Sequence, residues 1–370
     1  MKKQFLTIFS LLGLSLVLIS WGGTGHYKSN YATGLSFNQQ MAQFNTWVSI
    51  MADHASDADD RKSWDPNESP KHYIDIDNYN EFLTQGRIPQ TLDSAIAIHG
   101  ASFVYDQGIL PWATLVTYDS LKSCFQRSDW AKAVLFASDL GHYVADGHMP
   151  LHITRNYNGQ YSGNSGIHSR FESTMINANA SQITYPGYEI AEIEDVNQYV
   201  FDYLYANYTY VDSVIPADDY AKAIAGNTTS STYKQALWNK SKDFTILLFK
   251  NGSHAITELI FTAWVQAGSP QMEASAISAT NPEASFYLGQ NTPNPFCNST
   301  RINYNVPQNS EVLLQVFNLS GQLIATLVNE EKAGGSYSIG WSPQNLDAGV
   351  YNLVMKSGEF VEIKKAILIK

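Results

Sequence analysis

The chain has 370 residues, 44% of them hydrophobic and 13% aromatic, and a formal net charge of -11. That length exceeds one ordinary core, so two domains are expected. Two cysteines, Cys124 and Cys297, exclude a disulfide framework, and the acidic balance excludes tight duplex nucleic-acid binding through a basic face.

At the start, Lys2 and Lys3, the apolar run 5–19 and the small Ser20 predict a secretory signal peptide over 1–20. Trp21 is then the first residue of the mature chain. Met41, Phe44, Trp47 and Met51 recur at helical spacing. Apolar-rich stretches over 92–118 are broken near Gly108 and Pro111. A strong helix is expected over 129–147, with Ser128 as its N-cap and Pro150 just past its end. Further helices are expected over 189–208 and 232–266.

The text then changes. A small-residue, proline-containing linker covers 269–285, and a period-two pattern follows. Short strands are predicted over 302–306, 312–318, 337–341 and 350–356, with turns at 318–322 and 332–336. The expected fold is a mainly α catalytic domain over 21–268 followed by a small all-β sandwich over 286–370. Charge divides in the same way. Residues 21–280 carry 27 acidic and 15 basic side chains, residues 281–370 carry 7 and 6, and all nine histidines lie in the first region.

The strongest chemical signal is "LGHYVADGHMPLH" at 140–152. His142 and Asp146 are four apart on the expected helix and project from one face. His152 follows beyond Pro150. "IHSRFE" at 167–172 repeats the device with His168 and Glu172. Histidine and carboxylate at this spacing can grip one zinc. A single such pair reads more simply as a surface hydrogen bond; two pairs with His152 between them favour metal. "PKHYIDID" at 70–77 adds His72. The stretch 52–62 adds Asp53, Asp57, Asp59 and Asp60, and on its own reads as a solvated acidic loop. In "WGGTGH" at 21–26 the amine and carbonyl of Trp21 can chelate an ion, and the glycines would let the chain fold back so that His26 reaches it. The simpler alternative is a frayed terminus.

Together these pieces resemble the trinuclear zinc superfamily of bacterial zinc-dependent phospholipases C and single-strand-specific nucleases, over residues 21–268. The resemblance implies three zinc ions. One takes His72, His142 and an aspartate of the 53–60 stretch. A second takes His152, His168 and Glu172. The third takes Trp21 and His26, and Asp146 bridges the first and third. Relatives place the aspartate 14 or 15 residues before His72, which selects Asp57, with Asp59 the alternative and Asp53 more distant. Asp57 would orient the water that attacks phosphorus and act as its base. His54, His99, His148 and His254 match no ligand position and read as structural or surface residues.

"NPF" at 294–296, "FNLSGQ" at 317–322, "LDAGVY" at 346–351 and Lys364, Lys365 and Lys370 resemble the C-terminal sorting domain of the Bacteroidetes type IX secretion pathway. The alternative is a carbohydrate-binding sandwich with Trp341 and Tyr351 as its platform. The expected protein is a secreted or surface zinc-dependent phosphodiester hydrolase whose partners are its substrate and the secretion machinery. Glu172 in "GIHSRFE" favours phospholipid over single-stranded nucleic acid, which the nuclease branch would cleave. A non-catalytic, zinc-stabilised surface protein is a third reading.

Overall fold

The computed structural model describes residues 22–272 and 286–369, apart from 293, 295, 319–320, 344–345 and 359. The expected signal peptide, Trp21, most of the linker and Lys370 lie outside the described residues.

The first region is helical. Its α-helices are α1 (Gly22–Ala32), α2 (Trp47–Asp53), α3 (Asp57–Arg61), α4 (Asn80–Gln85), α5 (Leu92–His99), α6 (Ala101–Asp106), α7 (Leu110–Gln126) and α8 (Trp130–Asp146). After a loop come α9 (Ile167–Ser169), which continues as a π-helical turn, Arg170–Met175, and α10 (Ile176–Asn179). Helices α11 (Val196–Tyr208), α12 (Val211–Ala225) and α13 (Ser231–Gln266) complete it. Among the described residues no helix is long and apolar enough to cross a membrane.

Met41, Phe44, Trp47 and Met51 share one core with Phe125, Trp130 and Trp264, so the apolar spacing identifies a buried face. It does not form one continuous helix: a 3-10 stretch, Gln39–Phe44, and α2 carry it, with a break at Asn45 and Thr46. Helix α8 forms within its expected span, but its N-cap is Asp129, whose side chain accepts from the Lys132 amide. Ser128 instead adopts φ 55 to turn the chain out of α7. Residues 189–195 are not helical. Their amides are taken by α13 side chains, Ala191 N–H donating to Glu258 at 3.2 Å and Ile193 N–H to Thr262 at 2.9 Å.

The second region is a β-sandwich with seven strands among the described residues: β1 (Tyr287–Leu288), β2 (Thr300–Val306), β3 (Ser310–Asn318), β4 (Leu323–Lys332), β5 (Gly335–Trp341), β6 (Gly349–Ser357) and β7 (Phe360–Leu368). One antiparallel sheet has the order β1-β2-β5 and the other β4-β3-β6-β7. Leu314, Val316, Leu353 and Leu368 meet Ile302, Phe296 and Trp341 in the core between them. Trp341 and Tyr351 are both buried there, ring edge to ring face at 5.7 Å, so they form no sugar platform.

The packing that matters most for the site is α1 against α8. A Cβ on Gly141 would fall 2.0 Å from Oδ1 of Asn30, a buried side chain whose amide donates to the His26 carbonyl at 3.1 Å. Gly141→Ala should therefore separate the two helices and destabilise the fold by about 1–3 kcal/mol through overpacking. Urea unfolding of the variant measures this; an unchanged midpoint would show that the crossing has slack.

Candidate metal centre

The last turn of α8 presents His142 and Asp146 to the interior, both without solvent exposure. Because Gly141 admits α1, the His26 ring stacks on that of His142, centroids 3.8 Å apart and planes within 9°. His26 lies one turn into a helix that begins at Gly22, so residues 22–26 are helical rather than a loop, and Trp21 lies outside the described residues. Gly22 takes φ +48, and a Cβ on it would lie 3.2 Å from the Ser173 hydroxyl. The start of α1 thus abuts the π-helical turn that carries Glu172.

His72 ends the 3-10 turn Ser69–His72, which is tied to the start of α7. Ile109 N–H donates to Pro70 O at 2.7 Å and Leu110 N–H to Tyr73 O at 3.2 Å. His152 ends the 3-10 turn that Pro150 opens after α8. His168 and Glu172 approach at 3.1 Å across the π-helical turn, a wide form of helix that recurs at functional sites.

These segments converge on Asp146. Its carboxylate lies 3.0 Å from His72 Nδ1, 3.3 Å from His142 Nε2, and 3.4 Å from both His26 Nε2 and His152 Nδ1. The donor atoms fall into three groups that could hold a metal ion: His26, His142 and Asp146; Asp59, His72 and His142; and His152, His168 and Glu172. In each group the donor atoms lie within 4.8 Å of one another.

The acidic stretch divides its labour. Asp59 is the aspartate in the group, 3.5 Å from His72 and 3.7 Å from His142. Asp57, the expected ligand, instead takes His54 Nδ1 at 2.7 Å. Asp53 accepts from the Tyr287 hydroxyl, and Asp60 lies 3.6 Å from Lys365. The reason is helical: two positions along α3 rotate a side chain by about 200°, so Asp57 and Asp59 face different neighbours. The remaining histidines are held elsewhere. His148 is buried against Tyr203, His99 pairs with Glu81, and His254 bonds the Glu189 carbonyl.

The donor chemistry fits cations. His168 Nε2 and Glu172 Oε1 are buried without a hydrogen bond, a costly arrangement that an ion between them would relieve. His142 Nε2 stands 2.9 Å from His72 Nδ1. Since His142 Nδ1–H donates to Ala55 O at 2.6 Å, its Nε2 presents a lone pair to the group. The packing of the cluster also shifts the titration of its members, in both directions. Burial and the His142 ring push His26 down to about 4, against the pull of Asp146, so it stays neutral as a ligand must. Burial opposes a charge on His152, but Asp146 and Glu172 lift it to about 9. Burial likewise opposes charge on Asp146, yet His152 and His142 hold it well below the usual carboxylate range.

One consequence can be measured. His152 has a folded pKa above its ordinary 6.5, so in metal-free protein its charge adds stability that is complete below pH 6.5 and lost as pH rises through about 9. The thermal midpoint of chelated protein should fall across that window. Zinc-loaded protein should lose this dependence, because the ion displaces the proton. A flat midpoint for the chelated form would count against the arrangement.

Comparison with known proteins identifies the second region directly. Residues 292–370 match the secretion system C-terminal sorting domain family. No curated protein sequence matches the chain. Among solved structures, the alpha toxin from Clostridium absonum aligns at 10% identity over 94% of this chain and 97% of that one, with a TM-score of 0.41. The alpha-toxin of an avian strain of Clostridium perfringens aligns at 12% identity over the same shares, with a TM-score of 0.39. The expected sorting domain is present, and the protein is secreted or held at the cell surface through the type IX route.

Proposed function

We propose that the helical domain is a zinc-dependent phosphodiester hydrolase holding three ions. The observation that carries this is the convergence of three histidine–carboxylate groups in one cluster, two sharing His142 and the third reached through the contact of His152 with Asp146. Closed structural zinc sites are normally separate tetrahedra, whereas adjoining groups that share ligands suit catalysis with several ions. Bound there, zinc would supply an activated water near neutral pH and stabilise charge developing on phosphoryl oxygens.

The chain's own residues have definite parts in this reading. Asp146 orients His26, His72, His142 and His152 around one point. Asp59 takes the role first assigned to Asp57: it is partly exposed at the edge of the cluster, and its carboxylate can accept a proton from a water there. Lys62, which donates to Asp59 at 2.7 Å, holds that carboxylate in place. Three ions would bring six positive charges against the carboxylates of Asp59, Asp146 and Glu172. An anionic phosphodiester would thus be attracted to a cationic cluster inside an acidic protein. In this reading the free amine and carbonyl of Trp21, which lies outside the described residues, would complete the group of His26, itself one helical turn beyond Gly22.

A phospholipid head group is the first substrate, on the strength of Glu172. The second reading, cleavage of single-stranded nucleic acid, draws support from Tyr27 and Tyr31. Their exposed rings stack in parallel 5.8 Å apart on the turn after His26, a surface on which bases could stack.

Purified protein with Trp21 first should contain three zinc ions and hydrolyse a phosphatidylcholine analogue until a chelator is added. Cleavage of single-stranded DNA instead would select the second reading. Zinc without turnover of either substrate would point to a non-catalytic surface protein, and one ion or none would sink the proposal. Asp146→Asn should lower activity by more than the ~10–100-fold typical of outer-sphere changes, while His254→Ala should leave it intact. A chain carrying Met before Trp21 should lose one zinc while keeping its helical circular dichroism; three ions in that form would refute the terminal ligand.

A further inference from the structure

The histidines of the cluster do not all face it in the same way. His142, His152 and His168 each direct Nδ1 to a main-chain carbonyl: Ala55 O at 2.6 Å, His72 O at 2.7 Å and Tyr157 O at 3.1 Å. His72 is reversed. Its Nδ1 joins Asp146, Asp59 and His142, and its Nε2 faces a carboxylate, Oε1 of Glu68, at 3.4 Å.

Glu68 lies four residues before His72 and is without solvent exposure. A buried carboxylate is costly unless it is compensated, and this one is well compensated. The Tyr143 hydroxyl donates to Oε1, Lys71 Nζ to Oε2 at 2.8 Å, and Arg61 Nε lies 3.4 Å from Oε2. Arg61 is anchored in turn by Asp139 at 3.0 Å. Tyr143 follows His142 directly on α8, so the helix that supplies ligands to the cluster also braces Glu68 from behind. The contact between Glu68 and His72 lacks the angle of a full hydrogen bond. The carboxylate is pinned by three donors, so a small rotation of the His72 ring about its contacts with Asp146 and His142 is what would close the gap.

We propose that Glu68 is a positioning residue for the metal cluster: it takes the Nε2–H of His72, and so fixes the tautomer and ring orientation that turn the Nδ1 lone pair toward the ions. This rests on the reading above that His72 is a ligand. A metal-bound imidazole characteristically donates its far N–H to a carboxylate or carbonyl, and a carboxylate partner also makes the imidazole a stronger donor to the metal. The bland alternative is that Glu68 serves only to neutralise Arg61 and Lys71.

The test uses the full mature chain with Trp21 first. Zinc content and affinity are measured by chelator competition for wild type, Glu68→Gln and Glu68→Asp, together with the thermal midpoints of the chelated forms. Glu68→Gln should still bind every ion at saturating zinc, but hold one of them ~10–100-fold more weakly. Glu68→Asp, which keeps the charge but draws it back from His72, should weaken the same ion by a smaller factor. A purely structural Glu68 would lower the chelated midpoint and leave every zinc affinity at the wild-type value, and that result overturns the proposal. If Glu68→Gln fails to fold, the Glu68→Asp affinity decides by the same criterion. A wild-type chain that binds no zinc sinks both readings; a zinc-loaded wild type with unaltered variants sinks this one alone.

Discussion

A fully buried carboxylate, Asp146, within 3.0–3.4 Å of nitrogens from His26, His72, His142 and His152, is the constraint around which the helical region is arranged. Those histidines come from α1, the 3-10 turn before Tyr73, α8, and the turn after α8, which are remote in sequence. An isolated carboxylate could not remain ionised in such a place. It does so because imidazoles surround it; backbone carbonyls hold His142 and His152 in turn, and His72 Nε2 faces Glu68. The absence of a side chain at Gly141 is part of the same arrangement, since a Cβ there would collide with Asn30, whose amide donates to the His26 carbonyl.

Much of this was legible in the sequence where the signal was local. The spacing of four that joins His142 to Asp146 and His168 to Glu172 survives, even though the second pair lies on a π-helical turn. Choosing among Asp53, Asp57 and Asp59 needed to know which side of α3 faces α8, and a run of closely spaced aspartates does not carry that information. Glu68 was overlooked although it stands at the same spacing before His72; Pro70 between them hid the relation, because it argues against a helix. Helix α12 went unread because Pro216 sits inside it. Strand β4 was missed because it lies at a sheet edge with little burial and pairs with β3 through register shifts.

The β-sandwich illustrates the reverse case. Its strands follow from alternation and turn residues, such as Gly321 at φ 79 in the β3–β4 turn. Its purpose follows from motif likeness and the family match over 292–370, not from any exposed chemistry. Burial of Trp341 and Tyr351 leaves the aromatic side chains to stability rather than recognition. The division of histidines noted in the sequence thus separates a region with candidate metal groups from a region that carries the sorting domain.

His142 belongs to two of the three groups, and Asp146 borders them all through its histidines. Sites built this way cannot fill independently. Whatever free energy one occupant gains by drawing the His142 ring toward itself is felt by its neighbour, and linkage requires the influence to run equally in both directions. If ions fill these groups, their affinities would be coupled rather than separate. Where ions are scarce, the two groups that draw on the single Nε2 lone pair of His142 would fill unequally, and a change at one would be read at the other.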